Sequence, residues 1–443
     1  YSDYEKENDL VNTRDFLNSL AGILITALFV FTIFVLIFAP IFIFIFAPGF
    51  YYDPVKKDLS IDILRIMFPY LALISLVAFA GGIQNTHKEF SIPAYTPIFF
   101  NLSLIIAAII VAPMYEMPIY VLAWGVLLAG VLQLLIQILP LWRLNRLPIP
   151  KINIDNQGLK NFFRLIIPAV LAGGIIQINL LVDTIFASLL ETGSPTWLYV
   201  SDRLIQFPMG IFAIAIGTVL LPTLSKFDLN YEKDEFILGI QKGQKFVLYI
   251  GIPSLIGLFF CAEDLISTIF YRGAFTSIDV INSSYSLMAF SFGLPFFMLM
   301  KVLTPAFFSR KDTKTPMYVA LMSLVLNALF NYYLAFILDY GHIGIAIGSS
   351  LAAIFSVLAL EIVLYRDGFV KSPSIFNKFN LNLFISSLFL ITFLYFYTSQ
   401  MDFLKLTQVE RIFYLSIEVA VSILIYFSIS RLILNKPLRF LFD

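Results

Sequence analysis

Long apolar runs separated by short polar stretches dominate the chain from end to end. Runs of about 20 apolar residues, bounded by charged residues, Pro or Gly, are typical of helices that cross a hydrocarbon layer about 30 Å thick. By this criterion the sequence predicts twelve spans. They cover residues 16–48, 60–86, 92–113, 119–142, 161–191, 196–224, 241–271, 280–309, 314–338, 343–366, 378–400 and 407–434.

The charges in the predicted loops indicate an orientation. The N-terminal stretch, every second loop and the C-terminal stretch together hold 21 of the 29 Lys and Arg residues, whereas the opposite loops hold five. Cytoplasmic loops of membrane proteins are enriched in Lys and Arg, so both ends of the chain are predicted to be cytoplasmic. The other three cations, Arg65, Arg203 and Lys301, fall within predicted spans.

The composition supports this fold class and excludes several functions. The chain is 59% hydrophobic and 13% charged with a mean hydropathy of +0.88, which predicts an all-α polytopic membrane protein. A single cysteine, Cys261, excludes a disulfide, and two histidines in predicted loops, His87 and His342, argue against a metal centre. Phosphate-binding glycine loops with Lys, HExxH and GxSxG are absent, so we expect no enzyme. Nucleic-acid binding is not expected either, because the basic residues lack aromatic neighbours that could stack on bases.

An internal repeat predicts the domain organisation. The segment NTHKEFSIPAY (85–95) matches FSRKDTKTPMY (308–318), each being a short basic turn followed by a Pro in the first turn of a helix. Spans one to four then pair with spans seven to ten, and spans five and six have no counterpart upstream. We therefore expect two six-helix lobes, with the first two helices of the first lobe absent from this chain. The predicted parts are a first lobe (1–142), a cytoplasmic linker (143–160), a second lobe (161–366) and two additional helices (367–443).

The hairpin formed by spans five and six carries an acid and a base at one depth. Asp183 and Arg203 each lie ten residues from Gly193 in the turn, which places both about 15 Å below it. An ionised side chain at mid-membrane persists where it faces a partner or a wet cavity. Arg203 is therefore predicted to hold an anion such as a phosphate, with Gln206 on the same helix face. The alternative is a structural ion pair with Asp183 or Asp202.

Two pairs of oxygen-bearing residues predict a cation site. Asn179 and Asp183 are four residues apart on span five, and Asn327 and Asn331 repeat that spacing on span nine. A carboxylate with amide oxygens suits Na⁺, and a protonatable Asp suits H⁺ coupling. The alternative is that these side chains only hydrogen-bond neighbouring helices together.

Three further residues within the spans invite interpretation. Pro208 predicts a kink near Arg203, because proline removes a backbone hydrogen bond. Lys301 is predicted to extend its ammonium group to the cytoplasmic interface. Glu418 in the last span is either a packing partner or a contact for lipid headgroups, and the sequence does not decide between them.

Several strings in the chain resemble a known family. PAVLAGGIIQINLLVDTIFASLL, GSPTWLYVSDRLIQFPMGIFAIAIGTVLLPTLS, KVLTPAFFSRKDTKTPM and GGIQNTHKEFSIPAYTPIFFN closely resemble the MurJ (MviN) lipid II flippases, within the superfamily that includes MATE exporters. The resemblance covers essentially the whole chain. It implies a bacterial inner-membrane protein of fourteen helices that moves lipid II, the undecaprenyl-pyrophosphate-linked peptidoglycan precursor, to the periplasmic leaflet by alternating access. The implied partners are lipid II, membrane lipids and proteins of cell-wall synthesis, and the last two spans would shape a groove for the lipid tail.

The resemblance also assigns roles to residues. Arg203 matches the cavity arginine of the family's second lobe, and with Gln206 and Asp202 it forms our predicted substrate site. Asp183, Asn327 and Asn331 fall where some members place Na⁺, so with Asn179 they form our predicted cation-coupling site, and no other metal or cofactor is expected. Two departures count against this assignment. Asn331 stands where a second carboxylate is expected, and Gln206 stands where some relatives have an acid.

Other functions remain open from the sequence. A MATE-type cation-coupled exporter would have an acid-rich cavity and no need for Arg203. A flippase for another undecaprenyl-pyrophosphate-linked glycan would use the same phosphate chemistry. A non-transporting scaffold would leave Asp183 and Arg203 as a dispensable pair.

Overall fold

The fold is known from a computed structural model, which describes residues 10–153, 157–227, 231–370 and 378–434. Within these ranges the regular structure is helical and contains no β-strand. The first helices are α1 (Leu10–Ile37), α2 (Ala39–Phe46), α3 (Pro48–Tyr51), α4 (Pro54–Met67), α5 (Pro69–Thr86), α6 (Ser91–Ile106) and α7 (Pro118–Arg143). They are followed by α8 (Gln157–Ser188), α9 (Ser194–Pro208), α10 (Ile214–Leu224), α11 (Lys233–Phe260), α12 (Ala262–Phe270), α13 (Ser277–Ser309), α14 (Lys314–Tyr332), α15 (Gly341–Arg366), α16 (Lys378–Thr398) and α17 (Gln408–Leu434).

The predicted all-α membrane architecture is confirmed. Eleven helical segments among the described residues are long and apolar enough to cross a membrane. The remaining predicted span, 161–191, coincides with α8, a continuous helix of 32 residues. At about 1.5 Å per residue, α8 is also longer than a hydrocarbon layer is thick.

Two helix boundaries differ from the predicted spans, one because of a proline and one because of an N-terminal cap. The first predicted span, 16–48, is divided at Phe38, because Pro40 lies in the first turn of α2 and lacks the N–H that would continue α1. The second span begins at Pro54, earlier than the predicted residue 60. The reason is a cap, since the Asp53 carboxylate accepts hydrogen bonds from the N–H groups of Val55 (3.1 Å) and Lys56 (3.2 Å).

The internal repeat is visible in the helix boundaries. Helix α6 begins at Ser91 and α14 begins 223 residues later, at Lys314; α7 and α15 match at both ends with the same offset. Lys88 (φ 63°) and Lys311 (φ 61°), also 223 residues apart, both take the left-handed conformation in the turn before the helix. A π-helical turn follows α6 at Ala107–Val111 and follows α14 at Tyr333–Ile337. The two copies therefore share backbone detail as well as a sequence motif.

The chain forms two compact units, residues 1–173 and 174–443. In the first unit, a buried polar network joins α5, α6 and α7 through Gln84, Thr96, Gln133 and Gln137. In the second unit, α13 is the central helix, and its side chains Leu287, Leu294 and Met298 are fully buried in the largest apolar core. The lobe and linker boundaries predicted at 142, 160 and 366 stay a prediction.

Candidate functional site

The turn between α8 and α9 positions the predicted site. Gly193 takes a φ of 111°, and a Cβ there would collide with the ring of Trp197, so only glycine fits this turn. Trp197 donates a hydrogen bond from Nε1 to Oδ1 of Asp279 on α13 at 2.8 Å. Its ring also meets the edge of His342 with 4.8 Å between centroids. These contacts tie the hairpin to α13 and α15.

His342 differs from its predicted position. The sequence places it in a loop, whereas the structure places it buried in the first turn of α15. Its Nδ1 shares a 2.7 Å hydrogen bond with the Ser286 hydroxyl of α13. His342 therefore packs α15 against α13. Among the described residues, no group of three or more His, Cys, Asp or Glu could hold a metal ion.

Three of the four residues predicted to couple a cation, Asp183, Asn327 and Asn331, form one hydrogen-bonded cluster. Asn331 Nδ2 on α14 donates to Asp183 Oδ1 on α8 at 2.6 Å and to Asn327 Oδ1 at 3.1 Å. The Ser349 hydroxyl on α15 donates to Asp183 Oδ2 at 3.3 Å and accepts from Asn327 Nδ2 at 3.1 Å. Asn327 and Asn331 are fully buried. Three helices therefore converge on a single carboxylate without a positively charged partner in an ion pair within the described residues.

Two of the predicted cation residues carry a side-chain oxygen without a partner among the described residues. The side-chain oxygens of Asn179 and Asn331 are both buried and have no hydrogen-bond partner. Asn331 Oδ1 lies directly over Gly348 of α15, where any Cβ would overlap it. Because a buried amide oxygen without a donor is costly, a cation that accepts these lone pairs would be stabilised. The hydrogen bonds join three helices and the free oxygens could serve a cation, so the predicted cation-coupling site stays a prediction.

Arg203 lies on an exposed face of α9. Its guanidinium sits over the ring of Tyr199, 4.6 Å from the centroid, and it forms no ion pair with any described residue. Gln206 points instead at Asp202, whose Oδ2 accepts from Gln206 Nε2 at 3.0 Å. The alternative that Arg203 pairs with Asp183 or Asp202 thus has no support in the geometry. The five N–H donors of Arg203 remain available to an external anion.

Asp202 adds a second carboxylate near the predicted sites. The charge of Arg203 acts on the Asp202 carboxylate, and the charge of Asp202 acts in turn on Asp183. One cation and two carboxylates therefore share this region of the second unit.

The backbone next to Arg203 is irregular, as the sequence predicts. Helix α9 ends at Pro208 and is followed by a π-helical turn, Met209–Ala213, before α10 begins. Such turns interrupt the regular hydrogen-bond ladder and are frequent at functional sites. Lys301, farther along the unit on α13, is exposed, and its backbone carbonyl lies against Gly217 of α10.

Comparison with known proteins places this geometry in a family. The family model described as lipid II flippase MurJ matches residues 1–415. The chain belongs to this family. A probable lipid II flippase MurJ of Vibrio cholerae is 37% identical over 374 residues, which are 83% of this chain and 71% of the relative. The lipid II flippase MurJ of Burkholderia cenocepacia is 32% identical over 366 residues, covering 82% of this chain and 70% of that protein.

Solved structures agree with the family assignment. A lipid II flippase MurJ in an inward closed conformation is similar to this chain with a TM-score of 0.79 at 25% identity, covering 96% of this chain and 84% of that one. An inward-facing MATE family transporter of the MOP superfamily has a TM-score of 0.63 at 13% identity over 80% of this chain and 86% of that one. The second likeness shows the fold alone. The predicted family and the MATE-like fold are both confirmed.

Sequence reasoning missed three residues of the candidate site. Tyr199 is four residues before Arg203, so helical spacing alone could have found it. Ser349 and Gly348 carry no such signal, because their role depends on how α15 packs against α8 and α14. The roles assigned to the seven predicted site residues stay predictions.

Proposed function

We propose that this protein is a lipid II flippase, which moves the undecaprenyl-pyrophosphate-linked peptidoglycan precursor from the cytoplasmic to the periplasmic leaflet by alternating access. The observation that supports this most is Arg203, an exposed guanidinium without an ion pair in the described residues, nine residues inside the candidate membrane span Ser194–Leu224. A charged group at this depth is costly unless it serves a polar ligand. In a family of lipid II flippases, the corresponding ligand is the pyrophosphate of lipid II.

Arg203 would lower the free-energy barrier to moving the head group across the membrane, because its guanidinium replaces water around the phosphates. Moving an isolated ion from water into a medium like hydrocarbon costs on the order of 20 kcal/mol by a Born estimate, so the head group needs a polar path. The guanidinium offers paired donors that match phosphate oxygens, and Gln206 and Asp202 lie on the adjoining surface. The hydrocarbon tail needs no such path and can remain in lipid.

A groove on the last two helices fits the tail. Residues of α16 and α17 line a groove of about 550 Å³, with Phe389, Phe393, Phe396 and Ile425 among its walls. Its apolar lining suits an isoprenoid chain and offers little to a sugar or phosphate. We therefore assign these helices to the lipid tail and α9 to the head group.

The cluster around Asp183 supplies the coupling in this proposal. A Na⁺ bound by Asp183 with the oxygens of Asn179, Asn327 and Asn331 would remove the negative field that Asp183 exerts near Arg203. Anion and cation would then bind cooperatively, since each improves the electrostatic environment of the other. Proton binding by Asp183 would act in the same direction. We place the protein in the bacterial inner membrane with both ends of this chain in the cytoplasm, following the Lys and Arg bias of its loops.

The proposal is tested by reconstituting the protein in vesicles and measuring the movement of fluorescent lipid II between leaflets. We expect Arg203→Ala to slow translocation by at least about tenfold, and Arg203→Lys to fall between, because a point charge attracts phosphate without the paired donors. Arg65→Ala is the control, since Arg65 is exposed and donates to the Leu36 carbonyl at 3.2 Å. Equal rates for Arg203→Ala and wild type would refute the role of Arg203. Equal rates for lipid II and a lipid-linked glycan without the peptide would refute the substrate assignment.

A further inference from the structure

A pair of buried acids lies outside the site described above. Asp264, on the short helix α12, is 5% exposed, and Glu418, on α17, is fully buried. Each acts electrostatically on the other across the contact between the two helices. They are 154 residues apart in sequence, so only the packing of α17 against α12 brings them together.

The pair lacks the groups that would neutralise two carboxylates. Both oxygens of Glu418 and Oδ2 of Asp264 are buried without a hydrogen-bond partner among the described residues. The Ser422 hydroxyl, one turn along α17 from Glu418, is also buried and unpartnered. The nearest guanidinium on α17 is committed elsewhere, because Arg411 donates to the carbonyl oxygens of Phe403 (2.7 Å) and Leu404 (3.2 Å).

Other titratable neighbours add negative charge or none. They are Glu263 on α12, Cys261 between α11 and α12, Tyr397 on α16, Tyr414 on α17, and Asp402, which acts on Glu263. From α13 the neighbouring core is apolar and includes Val280 and Leu287 packed with Ile266 of α12. Two ionised carboxylates in this setting would repel each other, and the thiol of Cys261, a weak hydrogen-bond donor to Glu418, offsets little of the cost of burial.

A proton resolves this conflict. Carboxylates are only acceptors, so two facing carboxylates leave their oxygens unpaired, whereas one protonated carboxyl donates a strong hydrogen bond to the other. Asp264 lies on α12, beyond Phe260, where the structure ends the span predicted as 241–271. Burial, the charge of Glu418 and the charge of Glu263 raise the pKa of Asp264. A Na⁺ ion fits less well, because it prefers several more oxygen ligands than this pair and one hydroxyl provide.

We propose that Asp264 and Glu418 form a proton-binding site, and that the proton held between them keeps α17 docked on α12. The site adjoins the groove of α16 and α17, since Tyr397 lines that groove and also feels the charge of both acids. The Tyr397 hydroxyl donates to the backbone carbonyl of Tyr414 at 3.0 Å, which joins the two groove helices beside the pair. Loss of the proton would repel α17 from α12 and change the groove. The groove exists whatever molecule occupies it, so this inference does not depend on lipid II as the substrate.

The first test measures protonation in the purified protein without any substrate. A protonated carboxyl group has its own infrared C=O band, which shifts in heavy water. We expect this band near neutral pH to lose intensity in the double variant Asp264→Asn/Glu418→Gln. In Glu410→Gln, which makes the same change at an exposed position on α17, the band should persist. An unchanged band in the double variant would overturn the proposal.

The second test measures thermal stability against pH. The folded chain holds a proton that the unfolded chain releases above about pH 4, so stability should fall as pH rises from about 5 to about 8. Glu418→Gln should flatten this dependence, because its amide can donate to Asp264 without titrating. The same slope in Glu418→Gln and wild type would overturn the proposal. So would a rescue of wild type by Na⁺ at high pH that is absent in Glu418→Gln, because that would identify a metal ion as the occupant.

Discussion

The cluster around Asp183 makes a quantitative prediction about coupling. The sequence places Asp183 and Arg203 on the two helices of one hairpin, and helices that pack against each other are about 10 Å apart. At an effective dielectric constant of about 20, a unit charge at that distance changes the binding free energy of a monovalent anion by about 1.7 kcal/mol, or roughly fifteenfold in affinity. Na⁺ should therefore tighten anion binding at Arg203 by roughly this factor.

Asp183→Asn distinguishes the loss of the linkage between Na⁺ and anion binding from a loss of folded structure. The substitution removes the negative charge but keeps a side chain of the same size. In the absence of Na⁺ the variant should bind the anion about as tightly as wild type does with saturating Na⁺, and added Na⁺ should have no further effect. The assay is equilibrium binding of undecaprenyl pyrophosphate to the purified protein, with Na⁺ exchanged for choline at constant ionic strength.

Asp339 provides the control for this substitution. Asp339→Asn makes the same change in a loop of the second unit, at an exposed residue with φ 59° that asparagine tolerates well. That variant should keep the Na⁺ dependence of wild type. If Asp183→Asn also kept it, the cation would bind elsewhere and the linkage through Asp183 would be wrong.

Three further substitutions test individual contacts. Tyr199→Leu should weaken anion binding about two- to fivefold, the usual size of an exposed cation–π contact, whereas Tyr199→Phe should preserve it in the same binding assay. Gly348→Ala should lower the free energy of unfolding by about 1–3 kcal/mol and abolish the Na⁺ dependence of anion binding, because its Cβ would displace the Asn331 amide. Gly257→Ala is the control and should be tolerated, because a Cβ there meets nothing within 4 Å. Arg310→Lys should lower the melting temperature, because the guanidinium pairs with Asp367 at 2.6 Å and stacks over Phe369 at 4.0 Å, and lysine loses the stacking; an unchanged melting temperature would refute that role.

Hydropathy predicts the spans because burial in lipid demands apolar helices, and it predicts little about what lies inside them. The Asn179–Asp183 and Asn327–Asn331 pairs were visible because four-residue spacing places two side chains on one helix face. The hydrogen bonds of Asp183 and Asn327 with Ser349 were not, since they depend on the rotation of α15 against its neighbours. The division at Phe38 follows from a proline that local rules identify, and the earlier start at Pro54 follows from the Asp53 cap.

Glu418 illustrates the remaining gap between sequence and structure. The sequence leaves it as either a packing partner or a headgroup contact. The structure places it fully buried against Asp264, which favours packing and excludes a surface contact. No local pattern pairs residues 154 positions apart, because the pairing is set by where α17 docks.

The central claim, that the Arg203 guanidinium holds the phosphates of the substrate, is tested most directly by a binding cycle. The affinities of wild type and Arg203→Ala are measured for undecaprenyl pyrophosphate and for the uncharged alcohol undecaprenol. We expect a coupling free energy of about 1.5–3 kcal/mol between Arg203 and the phosphates, the size of hydrogen bonds to a charged group. Arg203→Ala should then weaken the binding of undecaprenyl pyrophosphate by roughly tenfold or more and leave the binding of undecaprenol unchanged. Equal losses for both ligands, or none for either, would contradict the account.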